Sequence, residues 1–435
     1  MILTAGPVAP IPAHPLLVFL LQISLLLGAA LLLGRLASRI GMLPVTGELF
    51  AGVLLGPSVL GAAAPGLSGW LLPAASEQTH LTDAVGQIGV LLLVGITGMS
   101  MDTSLIRSRG GTAALVSAGG LLVPLALGVA VGYALPATMP AAGADRTVFA
   151  WFLGVALCVS AIPVIAKTLL ELRMLHRDVG QLIIGAAAVD DFVGWLLLSV
   201  VSAMAATGVH ASTLVRSVAY LLLVLLLTMT VLRYAVNSTL RLAGRSPEPG
   251  VVPAVVVIVL LVFGAGTQAL GMEAIVGTLL GGVLIGSSGA VDREQIAPVR
   301  TFVVAVLAPV FFATAGLRMD LTALAQPPVL LTALAVLTVA IAGKFAGAYI
   351  AVRLARLSHW HAVALGAGLN ARGVIEVVIA MAGLRLGVLS SAMYTIVILV
   401  ALVTSLMTPP ILRYAVRHIA VTTPETEREA SMVVG

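Results

Sequence analysis

The chain has 435 residues, of which 60% are apolar and only 9% are Asp, Glu, Lys or Arg. A water-facing globular surface needs about 25% of such charged residues. Apolar runs of about 20 residues recur from end to end, so the composition excludes a soluble fold and predicts an all-α, multi-pass membrane protein. In a soluble chain a net charge of +5 would point to nucleic acid; here it belongs with basic residues flanking the spans, and no nucleic-acid partner is expected. The single cysteine, Cys158, excludes a disulfide framework or a Cys-based metal site within one chain and reads as a packing residue.

The opening MILTAGPVAPIPAHP has no basic segment ahead of its apolar run, so it is expected to be a short extracytoplasmic lead that is retained. Breaks rich in Gly, Pro and polar residues divide the rest of the chain into thirteen spans, at about 15–35, 44–61, 84–100, 112–135, 148–171, 180–205, 212–235, 250–268, 271–288, 299–317, 328–352, 360–384 and 390–413. With the N-terminus outside, seventeen of the 23 Lys and Arg residues fall on the cytoplasmic side. Only Arg146, Arg216, Arg318 and Arg385 fall on the other. This bias alternates loop by loop and predicts an N-out, C-in topology. The remaining two, Lys344 and Arg372, lie inside spans eleven and twelve.

They join Asp190 and Asp191, in GAAAVDDFVGW, and Glu376 as ionisable groups deep in apolar sequence. A charge near the bilayer centre costs roughly 2.5–3.5 kcal/mol on insertion scales, so such groups mark an ion path, a proton relay or a buried pair. Arg372 and Glu376 stand four residues apart on one helix, the spacing of a structural ion pair, and that role stays open beside a functional one. Neighbouring residues on a helix point about 100° apart, so Asp190 and Asp191 need different partners. One is expected to face a hydrated cavity. The other faces a helix carrying a counter-charge, for which Lys344 is the deep lysine available.

Span five, VALCVSAIPVIAKTLLEL, holds Ser160 and Pro163 at mid-membrane; span twelve, ALGAGLNARGVIEVVIAMAG, holds Asn370, Arg372 and Gly373 at similar depth. Both are expected to be broken helices whose freed peptide groups face protein or a hydrated cavity. If span seven is a linker, each break is the fifth member of a six-span half. The halves would then be inverted repeats whose broken helices cross, the plan of a secondary transporter. Glu48 and Glu273 lie near span starts, where complementing a helix dipole is the expected role. The seven histidines fall at span ends or in loops.

PVTGELFAGVLLGPSVLG (44–61), CVSAIPVIAKTLLELRMLHRDVGQLIIGAAAVDDFVGWLL (158–197), LAPVFFATAGLRMDL (307–321), GKFAGAY (343–349) and LNARGVIEVVIAMAGLRLGVLS (369–390) resemble, in order, the monovalent cation:proton antiporter superfamily. The similarity is closest to its second branch, with plant cation/proton exchangers and bacterial sodium and potassium antiporters. The resemblance implies a core ion-transport domain, 112–205 and 327–415, moving against a dimerisation domain, 1–111 and 250–326. A linker helix at 206–249 and a short cytoplasmic tail, 416–435, without a soluble regulatory domain, complete the plan. It implies a homodimer in lipid, in a bacterial inner membrane, with no cofactor, carrying Na+ or K+ against H+. It assigns Asp191 as the cation and proton carrier and Asp190 as the partner of Lys344. Many second-branch members have Asn-Asp where this chain has Asp-Asp, and Gly-Leu-Glu where GMSMD places Ser100, so Na+ against K+ stays open.

A carboxylate binds either a proton or a dehydrated cation, and either neutralises the site enough for the core to cross. Freed carbonyls near Ser160 and Asn370, with Asp191, are the expected cation ligands. Ionised Asp190, Asp191 and Lys344 sum to −1, so one cation or one proton on Asp191 neutralises the set and gives one-for-one exchange; a lysine that also releases its proton would return two protons per cation and make exchange electrogenic. Two other functions fit part of the pattern: proton-coupled export of a small organic molecule, and an intramembrane aspartyl protease. The protease needs aspartates that face each other, whereas neighbours on a helix diverge.

Overall fold

The computed structural model describes residues 11–40, 42–73, 76–99, 110–172, 174, 177–208, 219, 223–270, 272–422 and 425. Ser100, Arg107, Arg216 and His210 are among those that lie outside the described residues. Among the described residues the named elements are helices, because a bilayer offers no water to satisfy a backbone and each span must close its own hydrogen bonds. In chain order the helices are α1 (Ala13–Arg39), α2 (Pro44–Leu55), α3 (Pro65–Leu71), α4 (Ser76–Met99), α5 (Gly110–Ala134), α6 (Arg146–Cys158), α7 (Ile162–Glu171), α8 (Asp178–Thr207) and α9 (Arg233–Ala243). After these come α10 (Val251–Ala269), α11 (Ala274–Ser287), α12 (Arg293–Phe302), α13 (Ala308–Leu317), α14 (Pro327–Leu354), α15 (His359–Leu369), α16 (Val374–Arg385) and α17 (Ser391–Val416).

Among the described residues, 10 helices are long and apolar enough to cross a membrane, or 11 when α15 and α16, bent by 50° across their break, count as one span. Of the thirteen spans expected from sequence, span five is divided into α6 and α7 at residues 159–161, the break expected of it, and span nine is the 14-residue α11, shorter than the run of hydropathy suggests.

Two compact units result from the packing: residues 1–89 with 303–318, and residues 90–302 with 319–435. In the first, α1 packs on α2 and α13, and α2 on α13. A Cβ placed on Gly52 would stand 1.9 Å from the Ala313 carbonyl oxygen, and one on Gly316 2.0 Å from that of Leu49. Only glycine allows α2 and α13 this backbone contact, the means by which membrane helices gain packing without a hydrophobic driving force. Arg318 reaches both carboxylate oxygens of Asp83 at 2.6 Å.

In the second unit α5 packs on α6 and on α14, and α15 packs on α14 and α17. α8 touches α5, α6, α7, α15 and α16. α5 and α14 meet at a glycine pair: a Cβ on Gly119 would lie 2.5 Å from the Gly347 carbonyl oxygen, and one on Gly347 2.1 Å from that of Gly119. This contact fixes the height of Ser117, two residues before Gly119, and of Lys344, three residues before Gly347. Local signals set the helix ends. Asp145 caps α6 by accepting from the Thr147 and Val148 amides at 2.7 and 3.1 Å, and Ser390 caps α17 through the Met393 amide at 3.2 Å. Glu273 precedes α11 without capping it. Its carboxylate pairs with Arg385 at 2.5 Å, a partner the sequence did not point to.

Candidate functional site

The two interruptions meet. α6 stops at Cys158 and α15 at Leu369, and α7 and α16 resume at Ile162 and Val374. The Ala161 amide donates to the Ala371 carbonyl at 3.0 Å, and the Ser160 hydroxyl lies 2.8 Å from the Leu369 carbonyl oxygen. Each break therefore satisfies peptide groups that the other leaves open, which is what makes irregular backbone tolerable at membrane depth.

Arg372 supplies what the end of α6 lacks. The last carbonyls of a helix have no intrahelical donor and carry its negative dipole end. The Arg372 guanidinium donates to those of Ala156 and Leu157 at 2.9 and 2.7 Å and also pairs with Glu376, its i+4 neighbour. Both side chains are buried. Ser405 on α17 holds the break from the other side: its hydroxyl accepts from the Arg372 amide at 3.2 Å and donates to the Arg372 carbonyl.

Beneath the crossing lies a buried cluster around Asp190. Its Oδ1 accepts from Ser117 at 2.6 Å and its Oδ2 from Ser160 at 2.8 Å. Lys344 Nζ stands 3.2 Å from Oδ2 and donates to Ser160 Oγ at 2.7 Å. Asp190 and Lys344 are both 0% exposed, so the charges are compensated by each other and by hydroxyls, as buried ions must be. Ser160 has one proton and two acceptors in reach, Asp190 and the Leu369 carbonyl. It links the ion pair to the broken helix.

α8 presents Asp190 to the crossing because Gly194, one turn on, packs there: a Cβ on Gly194 would stand 2.7 Å from Val159 and 3.4 Å from Ile375. Asp191, turned about 100° away, is 3% exposed and forms no hydrogen bond or ion pair with a described residue. Two acidic neighbours thus occupy opposite electrostatic conditions. Asp190 is saturated with donors, and Asp191 is open to a proton or a cation.

Of the residues expected from sequence, the structure brings Asp190, Lys344 and Ser160 together, and Arg372 with Glu376. Ser160 hydrogen-bonds Asp190 and accepts from Lys344. Asn370 is 1% exposed and its Oδ1 has no hydrogen-bond partner among the described residues. Sequence reasoning missed Ser117 and Ser405. A serine in an apolar span is common packing material, and only the fold aligns Ser117 with an aspartate 73 residues later. Among the described residues no group of three or more His, Cys, Asp or Glu is arranged around a metal position.

Two interrupted helices crossing over a buried Asp–Lys pair, in a bundle of apolar helices, define a secondary transporter of the broken-helix type. A family model for sodium/hydrogen exchangers, transmembrane, matches residues 25–417, and the chain belongs to that family of multi-pass integral membrane proteins. It is 29% identical over 404 residues to the Na(+)/H(+) antiporter NhaS4 of Synechocystis, covering 92% of this chain and 97% of that protein. It is 30% identical over 405 residues to cation/H(+) antiporter 19 of Arabidopsis thaliana, with 92% of this chain matching 49% of that longer protein. The structure of the sodium proton antiporter MjNhaP1 from Methanocaldococcus jannaschii shares the fold, with a TM-score of 0.68, 15% identity, and coverage of 93% of this chain and 99% of that one.

Proposed function

We propose that this protein exchanges a monovalent cation, Na+ or K+, for protons by alternating access, with Asp191 as the carrier. The observation that carries the proposal is the contrast between the two aspartates. Three donors engage Asp190, whereas Asp191 has none among the described residues. An open carboxylate in a low-dielectric setting takes either a proton or a cation, and either one removes the charge that would otherwise hold the site in place. Asn370 Oδ1, buried without a partner among the described residues, is the amide oxygen proposed to assist the cation. Arg372 and Glu376 hold the crossing rather than carry the ion.

The topology is N-out and C-in, and the two six-span halves are inverted repeats that place the breaks at one depth. Residues 112–205 and 327–415 form the moving core, and residues 1–111 and 250–326 the domain through which a homodimer assembles in a bacterial inner membrane. The packing of α5, α6, α8 and α14–α17 around the crossing supports the core assignment. The protein transports rather than catalyses. With Asp190 and Lys344 paired, an ionised Asp191 leaves one net negative charge, which one cation or one proton neutralises; the cycle is electrogenic because Lys344 also gives up its proton when the cation binds. The test is Asp191→Asn in proteoliposomes. Exchange of every monovalent cation is lost while insertion and thermal stability are kept; exchange at the wild-type rate would place the carrier elsewhere.

A further inference from the structure

The unit formed by residues 1–89 and 303–318 encloses a cavity of about 300 Å³ that the transport chemistry does not use. That volume is the lower bound for small-molecule sites. Gln22, Thr82, Asp83 and Arg318 give the cavity a polar wall, and Leu72 and Leu317 an apolar one. Gln22 and Thr82 are buried and frame the polar side. Gln22 Nε2 donates to the Leu71 carbonyl at 2.6 Å, and its Oε1 accepts from Thr82 at 3.0 Å. α1 thereby fixes the end of α3 and the second turn of α4.

The two charges on this wall are only partly spent. Arg318 Nη2 reaches both Asp83 oxygens at 2.6 Å. Among the described residues, Arg318 Nη1 and Nε donate to nothing, and the Asp83 carboxylate accepts from nothing else. A guanidinium has five N–H donors and each carboxylate oxygen two lone pairs, so both ions can take a further partner without parting. They are also accessible, with 31% of the Arg318 side chain and 35% of the Asp83 side chain exposed.

Depth and charge select that partner. Arg318 directly follows α13, and Leu72 directly follows α3, so the cavity lies where helices end. α3 leaves Leu67 and Trp70 exposed, the kind of side chains that anchor a short helix at the headgroup level of a bilayer. One Arg and one Asp sum to zero. A simple anion gains Arg318 but meets Asp83, and a simple cation meets the reverse. A group carrying both charges a few atoms apart gains both. Its cationic end needs N–H donors for Asp83, which a primary ammonium has and a trimethylated one lacks.

We propose that this cavity binds a phospholipid with an ethanolamine headgroup, its phosphate on the free guanidinium edge of Arg318 and its ammonium on Asp83. Leu72 and Leu317 receive the glycerol and the first methylenes. The lipid ties α3 and α4 to α13 and acts as a structural component of this unit. None of the residues belongs to the transport site, and the proposal holds whichever ion is carried.

The test is native mass spectrometry of the full chain released from nanodiscs of equimolar phosphatidylethanolamine, phosphatidylcholine and phosphatidylglycerol with matched acyl chains. The wild-type protein is expected to retain the ethanolamine lipid about tenfold over the choline lipid, the worth of one charge-assisted hydrogen bond. Asp83→Asn keeps an acceptor for Arg318 but loses the charge, and the preference disappears. Leu72→Trp fills the cavity, keeps both charges and also removes the preference. Each readout is a ratio between lipids on one protein, so lost stability does not mimic it. Equal retention of the ethanolamine and choline lipids by the wild type, a preference for phosphatidylglycerol, or an unchanged ratio in Asp83→Asn overturns the proposal. Phosphoethanolamine without chains is expected to leave the lipid in place at equal concentration. Displacement would assign the cavity to a free zwitterion and overturn the lipid site.

Discussion

The guanidinium of Arg372 donates a 2.7 Å hydrogen bond to the carbonyl of Leu157, so a side chain from one interrupted helix closes the end of the other. The charge that looks misplaced in the sequence is the part that ties the two breaks together. This contact and others around the crossing have measurable consequences.

Removing Arg372 leaves Glu376 as an uncompensated buried carboxylate and frees the carbonyls of Ala156 and Leu157. Arg372→Ala is expected to destabilise the protein by about 3–5 kcal/mol, the usual cost of breaking a buried pair from one side. Glu376→Ala costs less, because the guanidinium keeps its carbonyl acceptors. The double change is milder than the sum of the singles, with a coupling of about 1–3 kcal/mol in thermal unfolding. Strict additivity would show that the two side chains do not act as a pair.

Lys344 and Asp190 form the charged nucleus of the site. If the lysine gives up its proton during the cycle, one net charge moves per turn and an imposed potential contributes about 2.3 kcal/mol per 100 mV. Wild-type exchange is then expected to speed or slow with the sign of the potential in proteoliposomes. Lys344→Gln reduces or removes that response. Wild-type exchange indifferent to potential would exclude the two-proton cycle and leave Lys344 as a fixed counter-charge.

The backbone contact between α5 and α14 sets where Ser117 and Lys344 meet Asp190. Gly347→Val would drive a Cβ to 2.1 Å from the Gly119 carbonyl oxygen, and neither backbone can yield without separating the helices. A loss of about 1–3 kcal/mol or more is expected, with reduced exchange from the displaced lysine. Gly28→Ala, whose new Cβ meets nothing within 4 Å, serves as the control. A Gly347→Val protein as stable as that control would mean the two helices are not held by this contact.

The chain beyond α17 returns to the start of α8. Glu425 accepts from the Asp178 and Thr422 amides at 2.6 and 2.8 Å and pairs with Arg177 at 3.2 Å. Burial alone would raise its carboxyl, but the two amides and the guanidinium outweigh it and hold the group below its ordinary range. A depressed carboxyl contributes stability that is present above the unfolded value near 4.5 and is lost as pH falls through the lower folded value. Corrected for the intrinsic rate at each pH, the Thr422 amide is therefore expected to be protected from hydrogen exchange at neutral pH and less protected in acid. In Glu425→Gln protection is already low at neutral pH and changes little on acidification. Equal protection in the variant would show that the carboxylate does not hold the tail.

Much of this protein was legible in its sequence. The bilayer class follows from charge depletion alone, and both breaks announce themselves, one by Ser160 and Pro163 and the other by Asn370 and Gly373. The aspartate pair is visible because a charge in hydrocarbon is costly enough that few are kept without use. Sequence and structure part at span nine, which is only the 14-residue α11, because hydropathy sums over a window and does not register where a helix stops. Glu273 sits at a helix start in the sequence, yet the fold brings it Arg385, 112 residues away.

By itself the sequence determined the solvent, the periodicity and the inventory of buried charge, all of which are set by side-chain chemistry and near neighbours. It also showed that Asp190 and Asp191 must diverge, since that is a matter of helix geometry. Which aspartate meets Lys344 did not follow from the residues alone: the family resemblance pointed to Asp190, and the tertiary structure places it there, 3.2 Å from Nζ. That choice depends on the rotation of α8 about its axis, fixed by Gly194 against Val159, and on the depth of α14, fixed by Gly347 against Gly119. These are close contacts between residues 35 and 228 positions apart, and a bundle of apolar helices acquires them only by packing.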